Sequence, residues 1–296
     1  MGGGANSLNR PETHENPDFS NEKQQGQEWE NPTYKSFEEY FTDFNITKDT
    51  ISAEDYTGKG VLSNPYVVHS TKGFLYLMNS ALSGLSLSGK HLELACNVSL
   101  NDEKFDDDGK AYGGDGVIYS WQPVTGVNGI CIYGKGYSIS GLYINDPEMD
   151  NASMFNSQVN IVKDLNFEDF YVVGRERVSA LCANQFLTSE IDNVNVLSGV
   201  VKGKGRVYAL CFNTKVIKNC KSYAKVYQLE EGAIQEGMSG FISGGANVSI
   251  RDCVFYGKIV AYDVSYVGGF ANTVRYGEIV NCKNYGTIEK KQVLNQ

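Results

Sequence analysis

Histidine is scarce in this 296-residue chain: there are three. There is no Cys-x-x-Cys, so the usual zinc spacings are excluded. Gly-x-Ser-x-Gly, His-Glu-x-x-His and a phosphate loop are all missing. Gly134-Lys135-Gly136 and Gly203-Lys204-Gly205 are turn sequences without the rest of a nucleotide fingerprint. Positive charge is in deficit, with a net charge of −9 and no basic patch, which argues against nucleic acid as a partner. No apolar run approaches the length of a transmembrane helix. Neither a cofactor nor a metal is implied.

What the chain does contain is a repeat. Ile217-Lys218-Asn219-Cys220-Lys221-Ser222-Tyr223-Ala224-Lys225-Val226 returns as Ile250-Arg251-Asp252-Cys253-Val254-Phe255-Tyr256-Gly257-Lys258-Ile259. It returns again as Ile279-Val280-Asn281-Cys282-Lys283-Asn284-Tyr285-Gly286-Thr287-Ile288. A looser copy spans Ile191 to Val200, and a weaker one opens with Val162-Lys163-Asp164-Leu165. The Asn/Asp anchors stand at 164, 193, 219, 252 and 281, steps of 29, 26, 33 and 29 residues. Such a period marks a solenoid with one supersecondary unit per repeat. Alternating β-branched and polar residues indicate strands.

The reading is all-β: a single-stranded right-handed parallel β-helix whose coils stack at strand spacing. Ile217, Ile250 and Ile279 are expected to stack inside, as are Cys220, Cys253 and Cys282. Asn and Asp suit a left-handed bend, and Gly257 and Gly286 a tight turn. Seven cysteines in an exported chain would suggest disulfides, but five fall at repeat-equivalent positions (182, 211, 220, 253 and 282). Buried free thiols are therefore expected.

A second ladder precedes each anchor: Ser179-Ala180-Leu181-Cys182, Tyr208-Ala209-Leu210-Cys211, Ser239-Gly240-Phe241-Ile242 and Gly268-Gly269-Phe270-Ala271. Together with Ile-x-Asn-Cys, it resembles the GLUG-motif proteins of bacterial surfaces. The segment Ile132 to Ile144 resembles that family's opening coil, and Trp121-Gln122-Pro123-Val124 its Trp-x-Pro-Ile. Tyr133 stands where the family has Asp, and Ala180 and Ala209 replace a Gly. The resemblance covers residues 60 to 290. It implies a right-handed β-helix, surface exposure and no catalytic residues.

Residues 1–33 have the composition of a disordered polar tether. The start Met1-Gly2-Gly3-Gly4 suggests that a signal peptide and a lipidated Cys have been removed, which would place the protein outside the cell as a surface lipoprotein. The other reading is a natural cytosolic start. Residues 34–296 form the β-helix domain. Ser36-Phe37-Glu38-Glu39 is a capping box, and a helical cap is expected over about 34–47. A second helix is expected from Ser70 or Thr71 to about Leu82, with Leu75, Met78 and Leu82 on one face.

Residues 101–116 form an acidic loop holding Asp102, Asp106, Asp107, Asp108 and Asp115. It departs from EF-hand spacing and reads as a solvated loop rather than a Ca²⁺ site. Arg175-Glu176-Arg177 reads as a solvated turn. Tyr223, Tyr256 and Tyr285 lie three residues past the inward cysteines, so parity turns them outward on successive coils. They are expected to form a flat aromatic strip able to bind sugars or apolar peptide faces. The expected function is a non-enzymatic, monomeric surface module that binds carbohydrate or a host surface protein. The alternatives are a β-helix lyase or glycosidase, and a structural spacer.

Overall fold

In the computed structural model, residues 28–183, 188–230, 233–234, 236–262 and 266–291 are described. Among the described residues the chain is a β-solenoid of about seven turns with two short helices. One long sheet runs Tyr66–Val68, His91–Leu94, Ile130–Tyr133, Val159–Glu168, Thr188–Val196, Thr214–Lys218, Ser249–Arg251 and Glu278–Val280. Each strand is parallel to the next. A second sheet stacks Tyr143–Asn145, Phe170–Gly174, Gly199–Gly203, Lys225–Gln228, Lys258–Tyr262 and Thr287–Lys291. A third, shorter one stacks Val207–Tyr208, Gly237–Ser239 and Tyr266–Gly268.

The registers carry the ladders. Ile191, Ile217, Ile250 and Ile279 pair in sequence along the axis. Between coils, Asp164, Asn193, Asn219, Asp252 and Asn281 all take the left-handed bend, with φ between 52° and 55°. Asn and Asp accept this backbone at low cost, and here they also tie one coil to the next. Asn193 Nδ2 donates to Asp164 Oδ1 at 2.7 Å, and Asn219 Nδ2 to Asp192 Oδ1 at 2.8 Å.

One register differs from the sequence pattern. Val200 does not stack on Val226; it pairs with Lys225, and Val201 pairs with Val226. The copy beginning at Ile191 has an extra residue at its corner, where Gly199 adopts φ 140°. Gly257 and Gly286 differ as well, because neither has a positive φ. Both are glycine for lack of room: a Cβ on Gly257 would lie 1.9 Å from the Ala224 carbonyl oxygen, and one on Gly286 2.3 Å from that of Gly257.

All seven cysteines are free. The backbones of Cys182 and Cys211 pair in parallel in one ladder, and Cys253 N donates to Cys282 Sγ at 3.5 Å in the other. Burial pushes the Cys211 and Cys220 thiols well up, which keeps them protonated and unreactive. Native protein should therefore show no disulfide by mass spectrometry. Iodoacetamide should label only the half-buried Cys96 and Cys282 before denaturant is added. A Cys220–Cys253 bridge in native material would overturn this.

The helices close the N-terminal end. α1 (Phe37–Asp43) starts at the capping box, with Ser36 N donating to Glu39 Oε2 at 2.7 Å and Glu39 N to Ser36 Oγ at 3.3 Å. α2 (Thr71–Leu82) has Ser70 as its N-cap and buries Phe74, Leu75, Leu77, Met78 and Ala81, against Phe37 and Tyr40 for α1. The expected cap at 34–47 is thus the lesser of two. Trp121 joins them: its ring lies 5.0 Å from Phe37 and 6.3 Å from Phe74, and its Nε1 donates to the Met154 carbonyl.

Candidate functional site

Two regions carry groups that could act. The first is the acidic loop, which is docked onto the outer face of the second sheet rather than solvated. Phe105 packs on Tyr143 and Tyr171, with ring centroids 4.9 and 6.2 Å apart, and Ala111 and Ile118 are buried there. Asp107 accepts from Lys225 Nζ at 2.7 Å and from Tyr227 OH at 2.6 Å. Burial alone would raise the Asp107 carboxyl, but these donors outweigh it and hold it below its ordinary value. Asp106 accepts from the Asp108 and Lys110 amides, and Asp102 from Ser99. Buried Glu103 accepts from the Asp115 and Gly116 amides, and burial pushes its carboxyl up. Asp107 thus ties the loop to the sheet and Asp106 shapes its turn, while Asp102, Asp108 and Asp115 stay exposed. Among the described residues no group of three or more His, Cys, Asp or Glu is placed to hold a metal ion.

The loop brings the N-terminal segment with it. Of the expected tether, residues 1–27 lie outside the described residues. Its last residues do not hang free: Trp29 Nε1 donates to the Gly113 carbonyl, and Thr33–Lys35 pairs with Val117–Tyr119. An aromatic ring at position 29 gives this stretch something to bury, which the mean composition of residues 1–33 hides. Arg175-Glu176-Arg177 is a surface turn, with Arg175 exposed, whose side chains are also paired. Arg175 pairs with Asp150 at 2.5 Å, Arg206 with Glu176 at 2.7 Å, and Arg177 Nε donates to Asn151 at 2.7 Å.

The second region is the tyrosine column. Lys221–Ser222, Val254–Phe255 and Lys283–Asn284 pair in register. Ser222 and Phe255 are fully buried. The next residues, Tyr223, Tyr256 and Tyr285, therefore turn outward. The rings of Tyr223 and Tyr256 lie 4.7 Å apart at 6°, and those of Tyr256 and Tyr285 5.5 Å apart at 20°. Parallel rings at these distances are offset-stacked, so Tyr256 is covered on both faces. The strip is thus not a flat floor of ring faces. It presents ring edges, because stacking at coil spacing turns the faces toward one another along the axis. Burial, with Tyr256 beside it, raises the Tyr223 phenol above its ordinary value. Tyr285 is 41% exposed.

Below Tyr223 the same column continues as Leu197 and Glu168, by extension of the register of Phe167, Val196 and Ser222. Leu197 is 37% exposed, an apolar rung the periodic pattern did not single out as a surface group. A hollow of about 320 Å³ on another face is lined by Arg206, Tyr208, Glu236, Tyr266 and Asn272. Of its two arginines, Arg206 is already committed to Glu176 and Glu236, and Arg275 is exposed at the rim. No helix among the described residues is long and apolar enough to cross a membrane. Searches of protein-family models, curated proteins and solved structures find no match to this chain.

Proposed function

We propose that the chain is a non-enzymatic binding module of the GLUG-motif kind, displayed outside the cell, with the column Tyr223, Tyr256 and Tyr285 as its recognition surface for a saccharide. The observation that supports this reading is the column itself. Three aromatic side chains stand in register on successive coils, outward, and held by their own stacking before any ligand arrives. Ordered side chains lose little entropy on binding. Tyrosine offers a hydrogen-bonding hydroxyl beside an apolar ring, a combination suited to an amphipathic ligand such as a sugar.

Replacing all three tyrosines with Ser should abolish attachment of the purified protein to a glycan array. It should cost about 1–3 kcal/mol of stability, the worth of two stacked pairs. Replacing all three with Phe should preserve both the stack and the melting temperature and remove only the hydroxyl contribution to binding. An array glycan that the triple Ser variant still holds at full strength would move the binding surface elsewhere. Loss of folding in the triple Phe variant would make the column structural.

A further inference from the structure

We infer that the saccharide held on the tyrosine column is acidic, a linear chain bearing carboxylate or sulfate groups laid along the solenoid axis. This rests on the reading given under Proposed function and narrows its ligand.

Beside the tyrosines runs a second outward column, Lys221, Val254 and Lys283, one coil step apart in the same register. Lys221 and Lys283 are exposed, and neither has an ion-pair partner among the described residues. The lysines on the other side of the tyrosines are committed: Lys225 to Asp107 at 2.7 Å and Lys258 to Glu289 at 3.0 Å. Lys221 and Lys283 therefore put two positive charges beside the aromatic column in a chain of net charge −9. They stand two coils apart, roughly 10 Å at strand spacing. That is the scale on which like groups recur along a polysaccharide built from disaccharides.

The ring geometry points the same way. A neutral sugar stacks on aromatic faces, and here the faces cover one another. Ring edges carry the positive end of the quadrupole, so a column of edges favours negative ligand groups. With Leu197 included, the column is four rungs, roughly 14 Å long. A bound peptide would use a free strand edge or side-chain pockets. The strands under this column are paired on both sides through the coil of Tyr256; the edge left open among the described residues, at Lys283–Asn284, runs across the end of the column and not along it, and the hollow described above lies elsewhere. Two carboxylates lie along this face: Glu168, at the foot of the column and accepting from Ser138 Oγ, and Asp252, exposed, two residues before Val254 on the left-handed bend. Asn occupies the same bend at 219 and 281, so Asp252→Asn removes the charge without changing the backbone.

The test measures binding of the full chain to polygalacturonate, to its carboxyl-reduced neutral counterpart and to poly-L-glutamate, by isothermal titration at low and raised salt. Polygalacturonate should bind about tenfold tighter than the neutral chain, and salt should weaken it. Lys221→Gln with Lys283→Gln should weaken it about fivefold and flatten the salt dependence, and Asp252→Asn should tighten it about twofold. Equal binding of the neutral polymer, unaffected by the lysine changes, would overturn the acidic class and leave the column as a saccharide site. Poly-L-glutamate bound as well as polygalacturonate would show that charge alone is read, overturning the saccharide. If none of the three polymers binds, the inference fails, and the glycan array then decides whether the broader reading survives.

Discussion

Phe255→Ala is expected to lower the unfolding free energy by about 3–5 kcal/mol. Phe255 is fully buried and lies in the interior column of the coil that carries Tyr256. Its neighbours in that column are small or polar: Ser222 one coil below and Asn284 one coil above. One large ring therefore fills the corner for three coils. It packs edge-on to Phe241, with centroids 6.4 Å apart at 63°. It also forms the wall against which Gly240, Gly257 and Gly286 close, since a Cβ on any of them would come within 2.9 Å of its ring. Removing the ring leaves a void that the ladder cannot collapse into, because backbone hydrogen bonds to the coils on each side fix the spacing. Guanidinium unfolding followed by circular dichroism measures the effect. A loss below about 1 kcal/mol would mean that the corner repacks and that the ring is not its filler.

The difference between Phe255 and Ser222 shows where the sequence is readable. The columns were legible. Ile217, Ile250 and Ile279, the Asn/Asp anchors and the outward tyrosines all follow from a period of two within each strand and a recurring anchor between strands. Ser36 and Ser70 mark both helix starts, because caps are local chemistry. What was not legible depends on partners far away in the chain. The extra residue at the corner near Gly199 was hidden because Val200 and Val201 both suit an inward position. The docking of the acidic loop joins Asp107 to residues more than a hundred positions away, for which no local pattern exists. A signal for it was present in Phe170-Tyr171-Val172-Val173: a strand apolar on both faces is covered on both faces. In the binding column, position and parity were readable. Whether the rings show faces or edges was not, because that is set by the spacing of the coils and the tilt of each ring.

Coil spacing leads to the second large effect. Gly257→Ala is expected to cost about 1–3 kcal/mol, the range for forcing an added carbon into a packed site, and to disturb the Tyr223–Tyr256 stack. The added Cβ would lie 1.9 Å from the Ala224 carbonyl oxygen, a backbone atom of the coil below. That oxygen already accepts from Lys258 N at 3.1 Å, so it cannot swing aside without breaking a rung of the second sheet. Gly136→Ala separates this crowding from backbone strain. Gly136 has φ 89° with nothing within 4 Å of its would-be Cβ, so its cost is strain alone, about 1 kcal/mol. Because residue 257 follows Tyr256 directly, a wedge there should separate the two rings and reduce the tyrosine signal in near-ultraviolet circular dichroism, a change that Gly136→Ala should not produce. If Gly257→Ala is as stable as the parent and keeps that signal, contact with the Ala224 carbonyl does not set the spacing of these coils. The ring geometry that favours an acidic ligand would then have another cause.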